Sequence, residues 1–475
     1  MTERLRDQLR PAWLVAWREL RDQLRDWRIL VPIFALTLFF PFLMNFTARA
    51  ALDFATQYGT PLIGERFVPF LLMVVGFFPI TVSLVIALET FVGEKERGTI
   101  EPLLSSPLKD WQLFMGKLTA AAGAPLVTAY LGITVYLVSL HFNGVPLPDL
   151  NRLAQTVMLT SVQAVLMVSG AILISTQATS VRAANLMSSF VIIPIALLIQ
   201  GESILMFWGN HQVLWLAVAA VAVLAALLVR VGLAHFQREA LLGREIDILN
   251  LRWMGRTFWR AFRGEAKSFG DWYRREVPRT LRRQRTSILL TLVLGVIAAA
   301  GAYWWSASHA AELAAASGSG DLTQVFGQDA GLPGDAISFP VIFWHNLRAV
   351  LVISLLGLFS FGVLGALFYL VNMAVIGGVL GAFEASGISP LLLAVYGILP
   401  HGIFEIPALI LSSAAILHFG VTLVTPDTRK TLGESMIEGL ADWAKVTLGV
   451  ALPLLAVAAA VETWITPVLL LSVLK

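Results

Sequence analysis

The chain has no cysteine and unusually little charge. The first absence excludes a disulfide framework and any thiolate metal site or nucleophile, and it leaves the redox compartment unreadable. Charged residues make up 14% of 475 positions, where a soluble domain carries about a quarter. A soluble globular enzyme is therefore the wrong class. The arginine-rich first 28 residues lack the pattern of a signal peptide, so the N-terminus is expected to be retained on the cytoplasmic side. A phosphate-binding G-x-x-x-x-G-K-[ST] loop is missing as well. Its nearest candidate, Gly116-Lys117, runs into Leu118 and has Trp111 where the first glycine belongs. No H-E-x-x-H or G-x-S-x-G element is present either. The expectation is a non-enzyme with no catalytic residue, with no cofactor of its own, and with ATP, if used, supplied by a partner.

Apolar residues are abundant: 57% of the chain, gathered in runs long enough to cross about 30 Å of hydrocarbon. About eleven such runs lie near 29–46, 67–91, 118–141, 153–178, 185–200 and 213–235, then 287–305, 342–361, 364–383, 390–421 and 446–473. The fold class is an all-α polytopic membrane protein with six plus five spans. Short loops keep Lys and Arg inside. Lys95, Arg97, Lys109, Lys117, Arg182, the block from Arg238 to Arg285, Arg429, Lys430 and Lys445 mark one side, while Ser306 to Pro340 carries Glu312, Asp321, Asp329 and Asp335 with no Lys or Arg. This asymmetry predicts N-terminus in and C-terminus out, in a multi-pass prokaryotic plasma-membrane protein.

The chain divides into residues 1–236, a basic aromatic cytoplasmic linker at 237–286 and residues 287–475. Beside a membrane, the linker's arginines, interleaved with Trp253, Trp259, Trp272 and Tyr273, read as a surface for anionic lipid rather than nucleic acid. Ahead of the first span, Trp13, Trp17, Leu20, Leu24 and Trp27 recur at helical spacing opposite Arg18, Arg21, Asp22, Arg25 and Asp26. That pattern fits an interfacial elbow helix.

Residues 92–117, between the second and third spans, form a charged hinge. Glu94, Lys95, Glu96 and Arg97 close one helix, and Gly98 provides the backbone freedom for it to stop. Thr99 is placed to cap a short transverse helix with Glu101 in its first turn, and Ser106-Pro107 repeats the start signal. The EKERGT run, E-x-LL, a proline and GK entering the next span resemble the cytoplasmic loop of type-2 ABC exporter permeases, over roughly residues 10–236. The resemblance implies a six-span half pairing as a homodimer or heterodimer, and a separate ABC ATPase carrying ATP and Mg. Its contact residues would be Glu94, Lys95, Glu96, Arg97, Gly98, Thr99 and Glu101. A charged loop that only solvates two span ends is the simpler alternative.

In the second half, LPHGIFEIPAL places His401 and Glu405 four residues apart on one helix face within an apolar span. Glu462, mid-span in VETWITP, is the expected partner, with Asn372 as a further polar candidate. Charges at such depth face partners or water rather than lipid. A buried hydrogen-bonded triad locking helices together is the reading preferred on sequence; a proton path, or a metal on His401, Glu405 and Glu462, is the sharper one. FWHNLRAV, YLVNMAVIGG and PHGIFE with the downstream E-x-W-x-T-P resemble the stage II sporulation protein M family over about residues 287–475. That resemblance implies a membrane module and possible envelope partners that remodel peptidoglycan. The functional expectation is an ABC exporter membrane subunit. A non-transporting envelope scaffold and an intramembrane metal hydrolase are the competing classes.

Overall fold

The computed structural model describes residues 2–58, 61–178, 180–208, 211–236, 251–309, 338–385, 389–425 and 430–474. The start of the basic block, 237–250, and the acidic loop residues Glu312, Asp321, Asp329 and Asp335 lie outside them. Every regular element among the described residues is a helix, and ten helices are long and apolar enough to span a bilayer. The protein is an all-α, multi-pass membrane protein. The difference from eleven falls at the fifth expected run, 185–200. There the chain breaks at Ser188 between two helices, and the apolar part, Pro194–Met206, is short.

Backbone contacts separate two compact units, Met1–Leu249 and Asn250–Lys475. The first contains α1 (Thr2–Gln23), α2 (Trp27–Tyr58), α3 (Pro61–Glu96), α4 (Ile100–Leu104), α5 (Asp110–Phe142), α6 (Leu150–Gln177), α7 (Val181–Met187), α8 (Ser189–Trp208) and α9 (His211–His235). Helix α3 is central, packing on α2, α5 and α6. Leu71, Leu72 and Val75 of α3 meet Ala48 of α2 and Ile133, Tyr136 and Leu140 of α5 in a buried cluster. Side-chain caps set the boundaries of several helices. Asp149 accepts the amide of Arg152 at the start of α6, and Ser180 that of Ala183 at the start of α7.

The second unit opens with α10 (Leu251–Arg263) and, after a π turn at Trp272–Glu276, α11 (Val277–Arg283). From residue 251 onward the basic aromatic segment belongs to this unit: α10 lies against the helix at Leu432–Val446 without burying a side chain, and the chain after it is anchored more deeply. The Trp272 indole donates to the Phe262 carbonyl, and the Tyr273 hydroxyl to that of Gly449. Next come α12 (Arg285–Ser308), α13 (Phe339–Leu358), α14 (Val363–Ala385), α15 (Leu399–Val424), α16 (Leu432–Val446), α17 (Leu452–Trp464) and α18 (Thr466–Leu474). Helices α12 and α14 approach closely because Gly377 and Gly381 present bare backbone. A Cβ at Gly377 would lie 1.9 Å from the Ala299 carbonyl oxygen, and one at Gly381 2.3 Å from that of Tyr303.

Thr425 and Pro426, the latter outside the described residues, read in sequence as the start of an inner-surface helix. The structure differs: Thr425 ends α15, and α16 begins after Thr431, whose hydroxyl caps the Glu434 amide while the Glu434 carboxylate returns to the Thr431 amide. Nor does α16 lie free. Leu440 and Trp443 join the unit's core with Ile353, Phe419 and Leu455, and the Trp443 indole donates to Ser354.

Candidate functional site

The hinge begins where α3 ends. The amides of Gly98 and Thr99 fold back on the carbonyls of Lys95 and Glu94, and Gly98 sits at φ +67° with nothing near its Cβ direction, so it is there for its conformation. The Thr99 hydroxyl turns back to the Glu94 carbonyl and carboxylate instead of standing over α4. The next span starts at Asp110, where the Gln112 side chain accepts the Lys109 amide.

The seven expected contact residues divide into two groups. Glu94 and Lys95 face inward. The Lys95 ammonium donates to the carbonyls of Thr176 and Ala178 at the end of α6. Glu94 meets Lys117, whose side chain has no solvent exposure and reaches Glu94 at 2.9 Å, Glu19 at 3.0 Å and the Thr90 carbonyl at 3.0 Å, over the face of Phe91. Glu96, Arg97, Gly98, Thr99 and Glu101 are exposed, although Glu96 also accepts the Val181 amide at the start of α7. The tip is therefore open to solvent while its root is tied to α1, α5 and the end of α6.

Glu19 belongs to the elbow helix. Ala12 and Ala16 of α1 are buried, and a Cβ at Gly116 of α5 would fall 2.7 Å from Val15, so the two helices touch at backbone distance. The amide of Gln112 reinforces the contact by donating to the Gln8 carbonyl. Trp13 and Trp17 stack on the opposite face and are more than half exposed. An interfacial helix requires that arrangement. The sequence gives no sign of the role of Glu19, and it shows Lys117 as an inside charge in the GK that enters the next span without indicating its partners. It likewise gives little sign of a buried polar group on α6, namely Gln155, Thr156, Thr160 and Gln163, where Gln163 donates to Glu202 of α8. The available signal was Glu202 itself, a carboxylate beside an apolar run.

In the second unit, ligand-type atoms of His401, Glu405 and Glu462 all lie within 4.8 Å of one another. Helix α15 supplies the first two at i, i+4 spacing, and α17 supplies Glu462. The expected direct hydrogen bonds within the triad are not formed: His401 Nδ1 pairs with the Thr466 hydroxyl at 3.3 Å, and neither carboxylate has a hydrogen-bond donor among the described residues. Asn372 donates to the Phe368 carbonyl of its own helix.

Two family models match this chain. ABC-2 family transporter protein covers residues 13–212, and Stage II sporulation protein M covers 287–467. The first match falls on the N-terminal half of the chain and the second on the C-terminal half. The boundaries of both matches leave the segment 213–286 between them. The chain is also similar to an uncharacterized protein, MJ0793, of Methanocaldococcus jannaschii, 34% identical over 139 residues, which are 29% of this chain and 75% of that protein. The ABC-2 half identifies the molecule as a permease-type membrane component.

Proposed function

We propose that the chain is the membrane subunit of an ATP-driven exporter, and that a separate ABC ATPase docks on the exposed tip formed by Glu96, Arg97, Gly98, Thr99 and Glu101. The observation that carries this reading is the buried Lys117 ammonium, which ties the root of the tip on α3 to α5 and to the elbow helix through Glu94 and Glu19. A push on the tip therefore moves three helices together. Lys95 and Glu96 extend the linkage to the end of α6 and the start of α7. Closure of the ATPase around ATP and Mg would act on this assembly as a rigid-body lever. The buried polar side chains of α6, with Glu202, supply hydrophilic surface inside the permease half, which favours a transport role over a scaffold. On this reading the hinge is cytoplasmic, the pore forms by pairing with a second permease, and envelope proteins are additional partners of the C-terminal half.

The test is charge reversal at the tip, Arg97→Glu with Glu101→Lys, in the full chain. The ATPase that co-purifies with the wild-type protein is expected to be lost, or its protein-stimulated turnover abolished, while Arg256→Glu on the exposed helix α10 leaves both unchanged. Retention of the ATPase with normal turnover by the reversed tip would sink the docking assignment.

A further inference from the structure

We propose that His401, Glu405 and Glu462 form a binding site for a divalent first-row metal cation of the zinc class within the second unit. The three side chains come from two helices that pack on each other, α15 and α17, and their ligand-type atoms lie within 4.8 Å of one another. They are half-buried in spans that are otherwise apolar. Two carboxylates at this separation repel, and in low-dielectric surroundings the repulsion is large. Neither carboxylate has a hydrogen-bond donor, a Lys or an Arg bonded to it among the described residues. A divalent cation supplies the missing positive charge from one centre.

The histidine is arranged for the same task. The Thr466 hydroxyl donates to the Val461 carbonyl, so toward the imidazole it acts as acceptor. The proton then sits on Nδ1 and the lone pair on Nε2. An imidazole oriented through its second nitrogen by an outer partner is the usual arrangement at protein metal sites. The donor set also selects the ion. One imidazole with two carboxylates suits zinc, manganese or iron, whereas magnesium and calcium take oxygen ligands. Three protein ligands leave a coordination position for water.

The experiment uses the full-length, tag-free chain in detergent micelles, dialysed against Co2+ as a spectroscopic probe and then against Zn2+, with bound metal counted per chain. Wild type is expected to hold one ion, with cobalt absorption bands in the visible that zinc displaces. Glu462→Gln and Glu405→Gln are expected to weaken binding at least tenfold, as is Thr466→Val through the imidazole, in line with the roughly 10–100-fold losses that follow removal of outer partners. Glu202→Gln, in the other unit, leaves the stoichiometry unchanged. Circular dichroism of each variant establishes that it is folded, and the wild-type count stands without any variant. An intact wild-type chain that holds no ion, or one whose ion persists in the His401→Ala, Glu405→Gln, Glu462→Gln triple variant, overturns the proposal.

Discussion

Lys117 shows at the scale of single residues how a charge is kept inside an apolar protein. Its ammonium is fully buried, yet it is matched by two carboxylates that are themselves 22% and 17% exposed. Removing the cation leaves both anions without compensation, and breaking a buried pair in this way costs about 3–5 kcal/mol. Because Glu19 and Glu94 retain some water, the lower end applies. Lys117→Met is expected to destabilise the first unit by about 3 kcal/mol, read as a lowered unfolding midpoint in detergent; an unchanged midpoint would show that the ion pairs carry no stability. This residue was only half legible in sequence. Its position just after Gly116 marks a helix entering the membrane, but Glu19 lies 98 positions away and no local pattern connects them. His401 and Glu405 were legible because helical spacing puts them on one face, and Glu462 because a carboxylate in an apolar span needs a reason. Thr466, which orients the imidazole, carries no such mark.

Glycine governs the close packing of elements in the second unit. Gly377 and Gly381, one turn apart on α14, let α12 approach until backbone meets backbone. A side chain at Gly377 would collide with the Ala299 carbonyl, which cannot rotate away as a side-chain end does. Gly377→Val is expected to cost about 3 kcal/mol, the upper end of the usual overpacking range, and to lower the unfolding midpoint, whereas Gly378→Val, with no atom near its Cβ direction, is expected to leave that midpoint nearly unchanged. Similar values for the two variants would show that the contact is not close. The spans themselves were legible because about twenty apolar residues have few other uses. Boundaries were less so. The start of α16 was misplaced at Thr425-Pro426 although Thr431 and Glu434 spell a capping box six residues later. Hydropathy reads the fifth run as one span because it does not register the break at Ser188.

The whole chain is built as two units, each with its own buried cluster of apolar side chains. Lys117 is held by Glu19, Glu94 and Thr90 and Gly377 rests on Ala299, so the two positions have no partner in common, and effects of that kind add to within about 0.5 kcal/mol. The double variant Lys117→Met, Gly377→Val is therefore expected to lose the sum of the two single losses. A coupling well beyond that margin, measured by the same unfolding experiment, would show that the units stabilise one another. The arginine-rich block itself was legible in the sequence. That the block's residues from 251 onward pack with the second unit was not, because Trp272 and Tyr273 read equally well as lipid anchors until Gly449 is seen beneath them.

The paired indoles of Trp13 and Trp17 give this architecture a sensitivity to its surroundings. They ride on the same helix as Glu19, so if they sit at the headgroup level, as an interfacial helix would place them, their depth sets the height of one anchor of the buried ammonium. Lipid tails of another length shift that depth at a cost of fractions of a kcal/mol per Å. Under the coupling proposed above, the thickness of the host membrane becomes a rheostat on nucleotide turnover, adjusted without any ligand at all.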